Sequence, residues 1–236
     1  MPIPLPECFC WSRFGNEAGE SITHILERKE AERASNDGVF VWGIGNAVGP
    51  SIRELVRRGP KPEVLFSPIK SPAKMQDVSP PAVVAWIGGE TLDGEPFSLP
   101  EHSLVTSRYD PVSPKAGHYA LVCFSRAPIT PARLGGKIVF NALRNIRTGR
   151  PIGASQVTAV VEQRRPSTEE ALTYDVAIRA ELVYPYFVRL QQPVVLPASA
   201  NTDPANQDWT RTTFDFVRRM HAKPAHPRNQ SMRFEF

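Results

Sequence analysis

The chain has 236 residues, of which 41% are hydrophobic, and a formal net charge of +4. This length allows one large domain or two small ones, and the apolar fraction is sufficient for a core. No run approaches the roughly 18 apolar residues that span a bilayer, and "MPIPLPECFC" lacks the basic and apolar regions of a secretory signal. The composition therefore predicts a folded cytoplasmic protein without a membrane partner.

The charge is distributed unevenly along the chain. Residues 1–40 carry four basic and seven acidic side chains, whereas residues 126–165 carry eight basic side chains and one acidic side chain. Such a density of arginine is typical of surfaces that bind polyanions, above all phosphate backbones. The alternative is a solvated face that is neutralised by the acidic N-terminal helix.

The first half of the chain alternates strand and helix patterns. A short apolar run with aromatic residues predicts a strand, helical spacing of apolar residues predicts an amphipathic helix, and proline at a first helical position predicts a second helix. The predicted elements are a strand over 7–13, a helix over 16–35, a strand over 37–43, a helix over 50–58 and a strand over 62–68.

The second half is richer in strands and prolines. The proline-punctuated stretch "SPIKSPAKMQDVSPP" predicts a loop. Strands are predicted over 82–87, 117–124 and 156–163 and within 173–190, with a turn of helix near 138–146 and a terminal helix over 208–220 that precedes an extended tail. Without a repeating βαβ pattern, we expect an α+β fold: a small closed or partly closed β-barrel flanked by helices. The predicted barrel domain covers 7–197, with a basic insertion at about 126–165, and 205–236 forms the C-terminal helix and tail.

Three cysteines, Cys8, Cys10 and Cys123, suggest buried thiols in a reducing compartment. Cys8 and Cys10 are spaced as alternate residues of a strand and should share one face. The five histidines supply no ligand spacing for zinc, so neither a metal nor a cofactor is predicted.

The stretch "VFVWGIGNAVGPSIREL" superficially matches a phosphate-binding loop. Its glycines, however, are spaced G-x-G-x-x-x-G, the helix begins at Pro50 after the last of them, and the next strand ends at Ser67 without a carboxylate. These features differ from a dinucleotide fingerprint. Trp42, Gly43 and Asn46 instead suit a flat ring that stacks and hydrogen-bonds, such as a nucleobase. The alternative is a core tryptophan that precedes an ordinary glycine turn.

The order "CFCWSRFG", helix, "GVFVWGIGN", short helix, "PEVLFSPIKSP", "VVAWIGG" resembles the PUA-like superfamily, and its YTH and EVE branches most of all. The similarity covers about residues 7–90, and "YDVAIRAELVYPYFVRLQQPVVLP" is similar to the EVE ending over 173–197. The resemblance implies a small barrel whose aromatic pocket accepts a modified or flipped nucleobase. The positions that it implies for this pocket are Trp11, Ser12, Trp42, Gly43, Asn46, Ser67 and Trp86.

The related ASCH branch contains enzymes, and Lys70 could imitate their lysine. This similarity implies an alternative function, a small-molecule amidohydrolase that uses Lys70 as its base. The sequence has no G-x-S-x-G motif, H-E-x-x-H motif or nuclease-like cluster of carboxylates, so an enzyme is the less favoured expectation.

The segment "GGKIVFNALRNIRTGRPIGASQ" carries much of the positive charge. Arginines neutralise phosphates, and amide side chains read bases or sugars. If the segment is helical, Asn141, Arg144 and Arg147 share one face. The residues expected to contact a nucleic-acid backbone are Lys137, Arg144, Arg147, Arg150, Ser155 and Gln156. A capped helix followed by a polar loop is the structural alternative.

The leading hypothesis is a non-catalytic reader of a modified base. DNA is favoured over RNA as the partner, and a separate effector protein is compatible with this function. The alternatives are the Lys70-dependent hydrolase and a protein-interaction module whose basic segment binds an acidic partner.

Overall fold

Strands dominate the fold, which is a mixed α/β structure with few helices. A computed structural model describes residues 4–15, 21–69, 83–100, 103, 105–108, 118–130, 136–164 and 172–195. The elements are β1 (Cys8–Phe14), α1 (Ile22–Ser35), β2 (Val39–Ile44), α2 (Gly49–Arg58), β3 (Glu63–Pro68), β4 (Val83–Thr91), β5 (Pro96–Ser98), β6 (Val105–Arg108), β7 (Tyr119–Phe124), β8 (Lys137–Val139), a 3₁₀ turn (Phe140–Ala142), β9 (Leu143–Asn145), β10 (Thr158–Gln163), β11 (Thr173–Asp175) and β12 (Ile178–Val195).

Local signals define both ends of α1. Ser21 is the N-cap, and its hydroxyl accepts a hydrogen bond of 3.2 Å from the backbone N–H of His24. After the helix, Asp37 and Gly38 have φ values of 51° and 96°, and a Cβ on Gly38 would lie 2.6 Å from the Phe124 ring. Glycine is therefore needed at position 38, where the chain turns into β2.

The main sheet has the strand order β2-β7-β12-β3-β1-β10-β9, and β4, β5 and β6 branch from β12. Most pairs are antiparallel. The strands β1 and β3 run parallel, from Cys10 opposite Val64 to Phe14 opposite Pro68. The long strand β12 changes register between Leu182 and Phe187. After β3 the described chain continues with strands and one 3₁₀ turn, so the βαβ pattern does not repeat along the chain, as expected for an α+β fold.

The sheet curls around one large core. Six strands direct side chains into this core, including Phe40 of β2, Leu121 of β7, Leu182 of β12, Phe66 of β3, Phe14 of β1 and Val160 of β10. Three strands separate β2 from β1 in the sheet, yet the rings of Trp42 and Phe14 are only 5.2 Å apart. The described strands β2 and β10 form no ladder with each other, so the sheet is strongly curled but open. The closure of a barrel remains a prediction.

Helices α1 and α2 cover the open side of the curl. Ile25 and Leu26 of α1 and Ile52 and Leu55 of α2 join the large core. A second core lies on the outer face of β1, β3 and β10, and a third lies between β2, β4, β6 and β7. Cys10 is buried in the large core and Cys8 packs against it, so the two thiols share one face as predicted.

Several predicted elements need correction. The helical turn expected near 138–146 is two short strands, β8 and β9, joined by a single 3₁₀ turn. Asn141, Arg144 and Arg147 therefore do not share a helix face, because β9 pairs with β10 and holds Arg144 extended opposite Glu162. The segment 173–190 contains two strands rather than one. The predicted loop over 67–81 is described only as far as Ile69, and the helix and tail over 205–236 lie outside the described residues.

Candidate functional site

The ends of β1 and β2 and the beginning of β10 meet at a buried threonine. The hydroxyl groups of Ser12 and Thr158 are 2.9 Å apart, and both residues are 1% exposed. The carbonyl of Val157 points toward β1, because it accepts a hydrogen bond from the N–H of Arg13. Successive carbonyls along a strand point in opposite directions, so the carbonyl of Thr158 points away from β1.

The carbonyl of Thr158 accepts hydrogen bonds from two side-chain amides. Asn46 donates its Nδ2 at 3.2 Å and Gln156 donates its Nε2 at 3.3 Å. We refer to Ser12, Asn46, Gln156 and Thr158 as the Thr158 cluster. It connects the chain after β2 with the beginning of β10 and so spans one end of the open side of the curl. Asn46 is half-buried, and its Oδ1 accepts no hydrogen bond within the described residues.

Trp42, four residues before Asn46, lies in the large core. Its side chain is 6% exposed, and its ring centroid is 4.3 Å from that of Phe66 and 5.2 Å from that of Phe14. The alternation of β2 directs Trp42 inward together with Phe40 and Ile44. Stacking of a base on this ring, as the sequence predicts, would require the neighbouring phenylalanines to move.

The two glycines of the bend have different surroundings. A Cβ on Gly43 would lie 2.6 Å from Cγ1 of Val105, so a side chain at position 43 would displace β6. A Cβ on Gly45 would meet nothing within 4 Å. Gly43 therefore serves packing, whereas the surface around Gly45 is open and lies next to Asn46.

Trp11 and Ser67 lie on the opposite face of β1 and β3. The indole Nε1 of Trp11 donates to the Ser67 hydroxyl at 3.0 Å, and both residues are 0% exposed. Alternation along β1 explains the separation, because Trp11 points into the second core and Ser12 points toward the first. Trp86 is in the third core, with its ring centroid 4.6 Å from that of His118. The structure therefore brings Ser12 and Asn46 together at Thr158, packs Trp42 in the large core between Phe14 and Phe66, and places Trp11, Ser67 and Trp86 elsewhere.

Arg13 attaches the segment before β10 to the sheet. Its Nη2 donates to the carbonyls of Ala154 and Gln156, each at 2.7 Å. The guanidinium carbon lies 5.5 Å from the Trp11 ring centroid and 5.7 Å from that of Tyr174, within cation–π range. The position of Gln156 in the Thr158 cluster thus depends on Arg13, a residue that the sequence analysis did not select.

A basic face lies at the other end of β10. It comprises five arginines from α2, the β9 hairpin and the end of β10: Arg58, Arg144, Arg147, Arg150 and Arg164. Glu162 accepts from Arg58 at 3.2 Å and from Arg164 at 2.9 Å, and Arg58 also donates to the carbonyl of Ile146 at 3.2 Å. These contacts join three segments that are distant in sequence.

The hairpin after β9 has a tightly defined turn. The Asn145 side chain accepts from the backbone N–H groups of Arg147 and Thr148, at 3.0 and 3.1 Å. Gly149 has a φ of 65°, a left-handed conformation that favours glycine. The side chains of Arg147 and Arg150 are exposed and form no ion pair within the described part of the chain.

The carboxylates of the basic face are outnumbered. Hydrogen bonds from Arg164 and then from Arg58 lower the pKa of Glu162, while Glu54, Cys8 and Glu162 raise the pKa of Arg58. Within the described residues, the ion pairs of this face involve two carboxylates, Glu54 and Glu162, and two of its five arginines, Arg58 and Arg164. Lys137 lies apart on the β8–β11 ribbon opposite Asp175, and Ser155 is exposed in the segment attached by Arg13.

The participation of Arg58 could not be recognised from sequence. Basic residues in the last turn of a helix are usually explained by the helix dipole. Lys70, the candidate base, lies outside the described residues.

Other features of the described residues provide no further site. A shallow depression of about 360 Å³ lies between the end of α1 and the end of β7, with Arg33 and Arg126 at its rim. No group of three or more His, Cys, Asp or Glu side chains in the described ranges could hold a metal ion. None of the described helices is long and apolar enough to cross a membrane.

Comparison with known proteins adds no relative. No protein-family model, curated protein or solved structure matches this chain.

Proposed function

We propose that the protein binds nucleic acid through the basic face and accommodates one base, modified and flipped, at the Thr158 cluster. The observation that carries this proposal is the meeting of three separate segments at Arg58: Arg58 of α2 and Arg164 at the end of β10 both bind Glu162, and Arg58 also binds the backbone of the hairpin that carries Arg147 and Arg150. Such a surface favours a polyanion, because guanidinium groups pair with phosphate oxygens in a bidentate geometry.

Strand β10 connects the two parts of the proposed site. Thr158 and Glu162 are four residues apart, which corresponds to about 13 Å along a strand. The exposed residues 153–155 lie between the hairpin and Gln156. A strand whose phosphates contact Arg147 and Arg150 can therefore place a neighbouring base near Asn46.

The Thr158 cluster offers polar groups for recognition of that base. Asn46 is oriented by its donor bond to Thr158 and retains Oδ1 as an acceptor for an amino or imino group on a base edge. Gly45 leaves the adjacent space open to a ring. Trp42 supports the bend from the core, and the PUA-like resemblance favours a base at this end of the barrel. DNA remains the favoured partner.

Fluorescence anisotropy with labelled oligonucleotides tests the backbone contacts. The logarithm of the affinity should fall linearly with the logarithm of salt concentration, with a slope of about −0.7 per phosphate contacted on a single strand. The double variant Arg147→Gln/Arg150→Gln should make this slope shallower by about 0.7 for each arginine. Arg189→Gln is the matched control, since Arg189 is exposed on β12 opposite Glu90. Binding that depends neither on salt nor on Arg147 and Arg150 would refute the proposal.

Base recognition requires a separate comparison of oligonucleotides that differ only in one modified base. The wild type should prefer the modified oligonucleotide, and Asn46→Ala should remove this preference while it preserves affinity for the plain one. Trp42→Ala is unsuitable, because truncation of a buried tryptophan costs about 3–5 kcal/mol of stability. Equal wild-type affinity for both oligonucleotides would contradict base recognition. Nuclease-insensitive capture of one acidic protein would favour the protein-interaction alternative.

A further inference from the structure

The carbonyl of Thr158 lies where the edge of β10 loses its strand partner. The N–H of Ile146 donates to the carbonyl of Val160 at 3.0 Å, and the ladder between β9 and β10 continues from there away from Thr158. On the Thr158 side of that bond, the side chains of Asn46 and Gln156 donate to the Thr158 carbonyl in place of a strand. A carbonyl oxygen has two lone pairs, so the two amides saturate it.

This shared acceptor fixes the orientation of both carboxamides. A carboxamide can present its NH₂ group or its oxygen, and an oxygen turned toward the Thr158 carbonyl would be repelled by it. The amide nitrogens of Asn46 and Gln156 therefore face Thr158, and their amide oxygens, Oδ1 and Oε1, remain as acceptors. Neither oxygen accepts a hydrogen bond within the described part of the chain, and both residues are only half-buried.

Arg13 fixes the backbone that carries Gln156. The N–H of Gln156 donates to the carbonyl of Gly153 at 3.0 Å and closes a turn. Nη2 of Arg13 donates to the carbonyls of Ala154 and Gln156, and Nη1 donates to the Tyr174 hydroxyl at 3.3 Å. The guanidinium group is thus used within the protein, and Arg13 acts as a positioning residue for Gln156.

We propose that Gln156 contacts the bound base rather than the nucleic-acid backbone, and that Asn46 and Gln156 together select a base edge with an exocyclic amino group. An amino group offers two N–H donors, one for each amide oxygen, whereas thymine presents a carbonyl oxygen at the corresponding position. This inference rests on the proposed nucleic-acid function and names the class of base: adenine, cytosine or guanine. A modification that occupies the open space beside Gly45 must leave the amino N–H groups in place.

Single-stranded oligonucleotides with one test position in a thymine background measure this selection by fluorescence anisotropy. The wild type should bind a strand with adenine at the test position more tightly than a strand with purine, which lacks only the amino group. Each of the two neutral hydrogen bonds lost with that group contributes about two- to tenfold in affinity. Dimethylation of the adenine amino nitrogen should weaken binding likewise, because no N–H remains on it.

Variants of the two amides separate their contributions. Gln156→Met keeps the length of the side chain without the amide, and it should reduce the preference for adenine over purine by about two- to tenfold. Asn46→Ala should do the same, and the double variant should bind both strands equally. The dependence of affinity on salt should not change, because no ion contact is removed. Gln191→Met is the matched control, since Gln191 is exposed on β12 and donates to Glu90.

Arg13→Lys tests the positioning role. Lysine keeps the positive charge but lacks the planar fork of donors that holds two carbonyls and a hydroxyl together. The variant should therefore lose part of the adenine preference while its salt dependence stays that of the wild type. Thermal melts of every variant show whether the fold is retained. A lower melting temperature with an unchanged preference would refute the positioning role of Arg13.

The outcomes for amino-group selection and for nucleic-acid binding are distinguishable. If the wild type binds strands in a salt-dependent way and prefers a modified base but binds adenine and purine equally, the selection is refuted and the proposed function stands. If Gln156→Met retains the full adenine preference, Asn46 acts alone and the role of Gln156 is refuted. If the wild type binds no strand, both proposals are refuted.

Discussion

Helix α1 protects the edge of β2 with a buried ion pair, and its removal should be costly. Strand β2 is the first strand in the sheet order, so the backbone of Val41 lacks a strand partner on one side. Glu32 accepts from the N–H of Val41 at 2.6 Å, and Lys29 donates to the carbonyl of Val41 and to Glu32, the latter at 2.7 Å. The side chains of Lys29 and Glu32 are 4% and 0% exposed. Two charged side chains thus take the place of a neighbouring strand.

The size of the effect follows from what a substitution leaves unpaired. Glu32→Ala removes the counter-charge of a buried ammonium group, and breaking such a pair costs about 3–5 kcal/mol. For a chain of this size, each kcal/mol lowers the melting temperature by about 2–4 °C, so we expect a decrease of roughly 6–20 °C. The double variant Lys29→Met/Glu32→Leu should lose less than Glu32→Ala, because neither charge remains buried.

Urea denaturation and thermal melts of the wild type, Lys29→Met, Glu32→Leu and the double variant Lys29→Met/Glu32→Leu form a closed cycle, and Glu32→Ala is measured beside it. A loss below about 1 kcal/mol for Glu32→Ala would refute the edge-protection argument, since a surface ion pair contributes only that much. A double variant whose loss equals the sum of the single losses would also contradict it, because coupled partners are not additive.

Three further substitutions test other parts of the structure. Ser67→Ala should lower the free energy of unfolding, measured by urea denaturation, by about 1–3 kcal/mol, because it leaves the buried indole N–H of Trp11 without an acceptor. When Trp11→Phe is added to Ser67→Ala, no further hydrogen bond is lost, because the partner hydroxyl is already absent. Gly43→Ala should destabilise the protein by about 1–3 kcal/mol through overpacking, because the new Cβ would meet Val105. Gly45→Ala should leave the melting temperature unchanged and weaken only base recognition, because its Cβ would meet nothing within 4 Å. Equal stability of the two variants would contradict the geometry of the bend. The pKa of Glu162 is lowered in the folded state by its hydrogen bonds to Arg164 and Arg58. The ionised carboxylate therefore adds stability at every pH above its unfolded pKa of about 4.3. This contribution disappears as the pH falls through the lower pKa of the folded state. The stability difference between wild type and Glu162→Gln should therefore be constant from neutral pH to about pH 5 and vanish in stronger acid, and the variant should bind oligonucleotides more tightly.

Local patterns in the sequence were sufficient for most elements of the first seventy residues. Alternation and helical spacing predicted β1, β2, α2 and β3 within about two residues of their observed bounds, because each of these segments has a clear period and a proline or glycine boundary. The short strands β5, β6, β8 and β9 were missed. A strand of three or four residues is too short to show a periodic hydrophobic pattern. Its conformation is decided by strand partners that are distant in sequence.

Some residues of the candidate site could likewise be selected from the sequence, whereas the positions of others depended on the tertiary structure. The sequence by itself led to Asn46 and the arginines of the hairpin as candidate nucleic-acid contacts, and the PUA-like resemblance added Ser12 as a candidate. Only the tertiary structure decided that Trp42 packs between phenylalanines, that Trp11 and Ser67 face the other side of the sheet, and that Arg58 joins Arg164 at Glu162. The curl of the sheet explains these outcomes. It brings strands from opposite ends of the sheet order around one core, and no periodicity along a single segment contains that information.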